Sequence, residues 1–448
     1  MTFQEFKNLV IAACEEAGIA EYELYYSAGS SVSVDTFRHA INEFSSSYTG
    51  GVCFRCIVNG KMGYASTEAL NAEQAKLIVA KAADSAAVLE AEEQVFLGEG
   101  GQEYEELNIK PYDLPTTEEL IGTILEIEKK IYGADPMVID GSQVNGIIEQ
   151  SEMAIYNSKG LDLQYRNNAS GLVVVGVVSD GKEMSNDYQI KLGKLDEIDT
   201  DALVQKAVEG AKVKLGGEPA PTGQYPVVFH TDAMCSLLQV FSSIFSSEAA
   251  QKGLSRLGDM EGQVIAAPIV TLVDDPFHPE NPEPINFDAE GSPTHKKNII
   301  EKGELKTLLY NLKTAAVAGK KTTGNASKAG YDAAVGLRPF TMYLENGDLT
   351  EEELLQKAGN GVYITDLSGL HAGADAISGD FSLQSAGFMI RDGKKAEYVK
   401  SFTVAGNFYD LLKNITALAN NCHLPMAMGM TAFGAPSVLV DGLTVAGK

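Results

Sequence analysis

The sequence predicts a strand-rich α+β fold of two domains, with segregated helices and mostly antiparallel sheets. Long runs in which apolar and polar residues alternate, as on half-buried strands, occupy much of both halves. Segments with helical spacing are grouped between these runs and do not alternate with single strands, which argues against a doubly wound sheet. A chain of 448 residues is also longer than one core usually organises.

The first half begins with an amphipathic helix, because apolar residues recur at helical spacing from Phe6 to Ala13. From residue 21 to residue 66 the period changes to two, which predicts a meander of antiparallel strands. The dipeptide Asn59-Gly60 is a turn signal between two of these strands.

Two helices are predicted next, at 72–90 and 117–132. Asn71 is placed to cap the first, with a glutamine three residues into it, and Thr116 with Glu119 forms a capping box before the second. Strands are expected at 147–156 and 161–179, joined by a turn at 157–160, and a helix at 202–215 ends this half.

The domain boundary is predicted at the stretch 216–223, which is rich in glycine and proline and has no periodicity. This gives an N-terminal α+β domain over 1–220 and a β-rich C-terminal domain over 221–448. The second domain opens with a strand at 225–229 and a helix capped by Thr231 or Asp232. Most of the remainder is predicted to form strands and turns, with helices after Thr350 and at 408–419.

Composition excludes several classes of function. A net charge of −26 repels phosphate backbones, so direct binding of nucleic acid is not expected. Five scattered cysteines do not form a disulfide framework. No apolar run approaches the ~20 residues that span a bilayer, and the stretch 9–14 is too short for a signal-peptide core. We therefore expect a cytoplasmic protein that does not bind membranes.

The sequence offers few metal ligands at useful spacing. Cys53 and Cys56 form a C-x-x-C, but they lie on a predicted strand, where residues three apart point to opposite faces. No two of the six histidines lie within five residues of each other, which excludes an H-E-x-x-H motif.

Two loops remain candidates for chemistry. The first carries Asp274, Asp275 and His278 and can be read as a metal site or, more simply, as a turn around a proline. The second is a glycine-rich cluster in which Asp380 could orient His371 as an acid–base pair. The plainer reading of this cluster is a glycine-shaped turn between strands.

Several segments of the second half, by their order and spacing, resemble the TldD/PmbA family, the so-called modulators of DNA gyrase. They are Val273-Asp274-Asp275-Pro276, the stretch from Asn286 to Thr294, Ile300-Glu301-Lys302-Gly303-Glu304-Leu305, Thr323-Gly324-Asn325-Ala326, Ser378-Gly379-Asp380-Phe381-Ser382 and Thr403-Val404-Ala405-Gly406-Asn407. The resemblance is nearest to the PmbA branch, also called TldE.

This resemblance implies a degenerate zinc site. Active TldD-type members carry a His-Glu-x-x-x-His helix and a cysteine near the C-terminus that together hold a catalytic zinc. The matching positions here are Gln239, Val240 and Ile244, and an amide and two alkyl groups cannot replace those ligands. The cysteine is expected between Met426 and Pro436, where there is none, although Cys422 lies nearby.

The resemblance therefore implies a non-catalytic, PmbA/TldE-like subunit with no cofactor of its own, the zinc being held by a TldD-type partner. Its expected partners are that subunit or a second copy, and a peptide substrate. Gly369, His371, Gly379 and Asp380 are the residues expected beside the peptide groove. Two alternatives stay open: a hydrolase with an unrecognised site, and an interaction protein that modulates gyrase.

Overall fold

The computed structural model describes residues 1–88, 94–107, 112–281, 283–424 and 431–448. Within these ranges it has ten α-helices and nineteen strands, and most strand pairs are antiparallel. The predicted α+β class is therefore confirmed. No helix in the described ranges combines the length and apolar character that crossing a bilayer requires.

The first half is built on one six-stranded antiparallel sheet with four helices. Its strands are β1 (Glu21–Phe37), β2 (Ala40–Val58), β3 (Lys61–Thr67), β4 (Gln143–Asn157), β5 (Asp162–Ser179) and β6 (Met184–Leu192). Its helices are α1 (Phe3–Ala17), α2 (Ala72–Val88), α3 (Thr117–Ala134) and α4 (Thr200–Val213). The strand order is β3-β2-β1-β4-β5-β6, so β1 and β4 form the centre.

The two faces of this sheet are covered by different parts of the chain. Helices α1 and α2 pack on one end of one face, around Phe54, and α3 and α4 pack on the other end, around Val34. On the opposite face, Tyr25 and Cys53 pack against apolar residues of the second half. Cys56 belongs to the helix-covered face. The prediction that Cys53 and Cys56 point to opposite faces is therefore confirmed.

The described part of the second half contains three sheets and six short α-helices. Its helices are α5 (Thr231–Phe241), α6 (Ser247–Gln251), α7 (Leu312–Ala318), α8 (Glu351–Ala358), α9 (Leu370–Gly373) and α10 (Phe408–Lys413). Its strands are β7 (Gly223–Phe229), β8 (Leu272–Asp274), β9 (Lys297–Glu301), β10 (Glu304–Leu305), β11 (Ala326–Ser327), β12 (Gly336–Leu337), β13 (Thr341–Leu344), β14 (Gly361–Ser368), β15 (Asp380–Arg391), β16 (Lys394–Asn407), β17 (Ile415–Leu418), β18 (Ala432–Gly434) and β19 (Val438–Ala446).

The largest sheet of the second half closes on itself. Its order is β16-β15-β14-β7-β19-β17, and β16 also pairs with β19, so five strands form a closed ring. Helix α5 follows β7 directly, and its apolar side, with Leu237 and Phe241, packs into the largest core of the molecule. The ring therefore fixes the position of α5.

The helix prediction for the second half was wrong in one region and incomplete in others. The helix predicted at 408–419 ends at Lys413, and Ile415–Leu418 is strand β17, which pairs with β19. A short apolar run does not by itself distinguish a helix from a buried strand. The short helices α6, α7 and α9 were missed, although Asn311 and Thr314 form a capping box at the start of α7. The last two residues of the helix predicted at 72–90 lie outside the described ranges.

Candidate functional site

The three positions matched to the zinc helix lie on α5 and the 3₁₀ turn that follows it. Gln239 is exposed, and Val240 packs partly against the main core. Ile244 is only 1% exposed and lies in the 3₁₀ turn Ser242–Phe245, after the α-helix has ended at Phe241. Zinc in proteins is held by thiolate, imidazole or carboxylate groups. These side chains therefore do not fit a zinc ion.

The remaining ligand of the family pattern is also not reproduced in the described residues. Within those ranges, no cluster of three or more His, Cys, Asp or Glu side chains is arranged to hold a metal ion. Part of the stretch from Met426 to Pro436, namely 426–430, lies outside the described ranges. Cys422 is half-buried, and burial raises the pKa of its thiol to about 12, so the thiol is protonated at neutral pH.

A His–Asp–His cluster at the start of α5 was not anticipated from the sequence. Asp232, in the first turn, has one carboxylate oxygen 3.5 Å from His230 Nδ1 and the other 3.4 Å from His423 Nε2. His230 also caps the helix, since its Nδ1 accepts a hydrogen bond from the Asp232 N–H. His423 comes from a distant loop, so no local sequence signal could have identified the cluster.

Electrostatics favours the charged form of this cluster. Burial opposes ionisation of Asp232, but the neighbouring imidazoles of His230 and His423 outweigh it and lower the carboxyl pKa. The hydrogen bond to Asp232, together with its charge, raises the pKa of His423 despite partial burial. A carboxylate that faces two imidazoles can orient them and hold a proton between them.

The predicted groove residues lie around the short helix α9 and the start of β15. Gly369 and Gly379 have φ values of 77° and 79°, which require glycine for the turns at either end of this segment. The Asp380 carboxylate accepts a hydrogen bond of 2.7 Å from Asn407 Nδ2. His371 is exposed, and no hydrogen bond or ion pair joins it to Asp380 within the described residues. The region is thus arranged as a turn, without the suggested acid–base pair.

The Asp274 side chain has a structural role in its loop. The buried Asp274 carboxylate accepts hydrogen bonds from Lys297 Nζ and Asn325 Nδ2, at 3.1 and 2.7 Å, and from the N–H groups of Phe340 and Thr341. With four donors around it, the carboxylate is fully occupied.

The other two residues of the suggested metal site, Asp275 and His278, bind backbone N–H groups within their own turn. The Asp275 side chain accepts from the Phe277 N–H, and His278 Nδ1 accepts from the Glu280 N–H. Asp275 and His278 therefore match the turn interpretation, in which carboxylates and imidazole bind nearby backbone N–H groups, whereas Asp274 binds groups that are remote in sequence.

The stretch from Asn286 to Thr294 lies largely buried between the two halves of the chain. It is one of the segments that carry the family resemblance. Asp288 accepts hydrogen bonds from three backbone N–H groups, and Glu290 accepts one of 2.8 Å from the Leu312 N–H. Burial raises the pKa of both carboxyl groups, and the nearby Asp288 charge raises that of Glu290 further. Tyr104 of the first half donates to the Gly291 carbonyl at 2.8 Å.

A polar cleft lies on the sheet face opposite the helices. Its volume is about 210 Å³, and small polar residues of four strands form most of its lining. They include Ser31, Ser47, Ser151 and Asn167, and Glu283 of the second half contributes one wall. The sequence pattern could show the alternation of these strands, but it could not show which residues face a cleft.

Comparison with known protein families matches most of the chain to three consecutive family domains. Residues 22–87 match domain 1 of the PmbA/TldA metallopeptidases, residues 110–215 match the central domain, and residues 222–447 match the C-terminal domain. The predicted two-domain division at 220/221 remains a prediction.

Individual relatives agree with this assignment. A metalloprotease of Methanothermobacter thermautotrophicus is 28% identical over 404 residues, which cover 86% of this chain and 84% of the relative. A candidate modulator of a DNA gyrase from Thermotoga maritima has a crystal structure with a TM-score of 0.89, 29% identity and coverage of 99% and 100% of the two chains.

The fold is also shared with the crystal structure of TldE from Thermococcus kodakarensis, at a TM-score of 0.87, 23% identity and coverage of 98% and 99%. The domain matches span both halves of the chain, and the C-terminal match alone includes α5. The chain therefore belongs to the PmbA/TldD metallopeptidase family.

Proposed function

We propose that this protein is a PmbA/TldE-like, non-catalytic subunit of a cytoplasmic TldD/TldE-type peptidase system that degrades small or unfolded peptides. The observation that carries the proposal is the chemistry of Gln239, Val240 and Ile244, which offer no zinc ligand and no general base. In this role the chain requires no cofactor, and zinc is supplied by a TldD-type subunit.

The subunit would contribute walls that hold an extended peptide beside the partner's zinc. Exposed strand edges can take up such a peptide through backbone hydrogen bonds. We place Gly369, His371, Gly379 and Asp380 near the peptide, because this turn is rich in exposed polar groups. The Asp380 carboxylate retains free acceptor capacity for a peptide N–H beyond its bond to Asn407.

Metal analysis and a peptidase assay on the isolated full chain test the absence of catalysis. We expect substoichiometric zinc after incubation with zinc and dialysis, and no hydrolysis of an unfolded polypeptide such as reduced casein. Stoichiometric zinc that disappears in a His423→Ala or His278→Ala variant would contradict the proposal.

Co-expression with a TldD-type subunit tests the assembly. We expect a complex that hydrolyses the same substrate, with activity that requires the partner's histidines and survives Gln239→Ala in this chain. A matched Asp380→Ala variant should raise KM for the peptide while leaving the zinc content of the complex unchanged. Failure of the two chains to associate would overturn the subunit role.

A further inference from the structure

The polar cleft on the first-half sheet is built from two neighbouring rows of residues on the face opposite the helices. Residues that pair across strands, and residues two apart along one strand, share a face of the sheet. Because Gly29 has no side chain, the floor of the cleft lies at the backbone there. The two rows, read across β2, β1, β4 and β5, are Thr49-Gly29-Ser151-Asn167 and Ser47-Ser31-Glu149-Ala169.

Hydrogen-bond acceptors dominate the lining of this cleft. Each hydroxyl offers two lone pairs, and each carboxylate offers about four acceptor sites. Lysine and arginine are absent from the described residues that line the cleft. Four lining hydroxyl groups make no hydrogen bond to any residue that the structure describes, namely those of Ser31, Ser47, Thr49 and Ser151.

Two carboxylates meet at the cleft without a cation between them. Glu149 comes from β4 and Glu283 from the second half, and neither forms an ion pair with a described residue. Glu283 as a residue is exposed, yet the surrounding protein excludes water from its carboxyl group, and the Glu149 charge adds to this. The pKa of Glu283 is therefore raised, although Arg338 and a hydrogen bond from Asn167 oppose the shift. Like charges held together in this way favour a bound cation.

A buried hydroxyl without a partner lies beside this pair. Tyr165 precedes Asn167 by two residues on β5, so it faces the same side of the sheet, and it is only 9% exposed. Its hydroxyl has no hydrogen-bond partner among the described residues. Burial raises the pKa of Tyr165, and the charge of Glu283 raises it further, so the phenol stays neutral. Buried polar atoms normally have partners, so this one is an independent indication of a polar ligand.

We propose that this cleft binds an alkylammonium group between Glu149 and Glu283, with serine hydroxyls as further acceptors. An ammonium group carries three N–H donors and no acceptor, which complements a lining rich in acceptors. A metal ion matches the cleft less well, because no three His, Cys, Asp or Glu side chains within the described ranges are arranged to hold one. The volume of about 210 Å³ is below the ~300–1,000 Å³ of pockets for larger ligands and suits one aliphatic chain.

Two sources share this chemistry: the lysine side chain of a peptide and a free aliphatic amine. The inference depends only on the sheet and on Glu283, so it stands or falls independently of the proposed peptidase role. It is tested on the isolated full chain, without a TldD-type subunit.

Calorimetric titration at low ionic strength tests the site, because salt screens exposed carboxylates. The first probe is a blocked tripeptide with a central lysine, and its uncharged counterpart has norleucine in place of the lysine. We expect one lysine peptide to bind per chain and the norleucine peptide not to bind. Equal binding of the two peptides, or no binding of any ammonium probe, would overturn the proposal.

Pentylamine distinguishes the two sources, because it carries the same ammonium group without a peptide backbone. Affinity equal to that of the lysine peptide would identify a free amine as the sufficient ligand. Tighter binding of the lysine peptide would identify a peptide side chain. Either result supports an alkylammonium site.

Charge-neutral variants locate the binding site. Glu149→Gln and Glu283→Gln should each weaken binding of the lysine peptide about tenfold, because hydrogen bonds to charged groups are the strong ones. Glu152→Gln is the matched control, since it removes the same charge from the same strand on the helix-covered face, where Glu152 pairs with Arg166. This variant should bind as the wild type does. Equal weakening by all three would show general attraction to an acidic surface and would refute the site.

A cleft-filling variant separates a built site from two independent surface charges. Ser31→Leu fills the floor and keeps both carboxylates, so it should abolish binding. Its melting temperature, compared with that of the wild type, shows whether the chain still folds. Binding that persists in the folded Ser31→Leu chain would contradict the proposal, and the two glutamine variants provide the same test if this chain does not fold.

Discussion

His423 Nε2 lies 3.4 Å from Asp232 Oδ1 and thereby joins the loop after β17 to the first turn of α5. The contact connects two segments that are remote in sequence. In this chain the polar groups at the start of α5 bind each other, and Gln239 and Val240 further along the helix carry an amide and an alkyl group.

The Asp232–His423 pair should make stability depend on pH. The folded pKa of His423 is raised above its ordinary value of 6.5, so its contribution is fully present below pH 6.5 and is lost as pH rises through the raised value. The folded pKa of Asp232 is lowered from 3.8, so its contribution is present above pH 3.8 and is lost only in stronger acid. Both side chains are about half exposed, and solvent limits the effect to below about 1 kcal/mol.

Urea unfolding of the wild type and of the His423→Gln variant, repeated from acid to alkaline pH, measures this contribution to stability. The difference in free energy of unfolding should be largest between the two ordinary pKa values and should vanish in alkaline solution. A difference that is constant with pH would show that His423 contributes through packing alone.

Removal of the Asp274 carboxylate should be strongly destabilising. Asp274→Ala leaves Lys297, which is 8% exposed, without its ion-pair partner and leaves two backbone N–H groups unpaired. Loss of one partner of a buried pair costs about 3–5 kcal/mol. Chemical denaturation measures this loss in the free energy of unfolding. Asp441→Ala, at an exposed site, is the control and should change stability by less than about 0.5 kcal/mol.

Glu290→Gln should stabilise the protein in alkaline solution. Burial and the Asp288 charge raise the folded pKa of Glu290 above 4.5, so its contribution is present below pH 4.5 and is lost as pH rises through the folded value. Glutamine keeps an acceptor for the Leu312 N–H. The melting temperature of the variant should exceed that of wild type at high pH and match it in acid. A variant less stable at high pH would mean that the charge of Glu290 is required by Arg55.

Two glycines should respond to alanine in opposite directions. A Cβ at Gly63 would lie 1.8 Å from the Ala82 carbonyl oxygen, so Gly63→Ala must push α2 away from β3 and should cost about 1–3 kcal/mol. A Cβ at Gly122 would meet nothing within 4 Å on the exposed side of α3, so Gly122→Ala should stabilise by about 0.5–1 kcal/mol. Thermal unfolding of the two variants provides the comparison.

Local patterns predicted local structure well. The capping boxes at Thr116 and Thr350 and the turn at Asn59-Gly60 are where the sequence placed them, because their signals lie within a few adjacent residues. The helix predicted at 408–419 failed because its second part is stabilised by pairing with β19, a contact invisible in a single segment.

The sequence addresses the candidate site only where it depends on residue type. The mismatch at Gln239, Val240 and Ile244 follows from the family resemblance together with residue type, and it stays a prediction. The pairing of Asp232 with His423 requires the fold, since the two residues come together through the closed ring of strands. For the same reason, the sequence suggested His371 and Asp380 as partners, whereas Asp380 binds Asn407.

The closed ring has a consequence for biosynthesis. Its final member, β19, pairs with β7 and β16 and follows every other strand of the ring in sequence. A ribosome holds the most recent segment of a nascent protein in its exit tunnel, so the ring cannot close before β19 has emerged. The antiparallel sheet of the first half, whose strands are complete by Leu192, can form much earlier. Maturation of this protein is therefore expected to proceed in two stages, with the segment that carries α5 settling last.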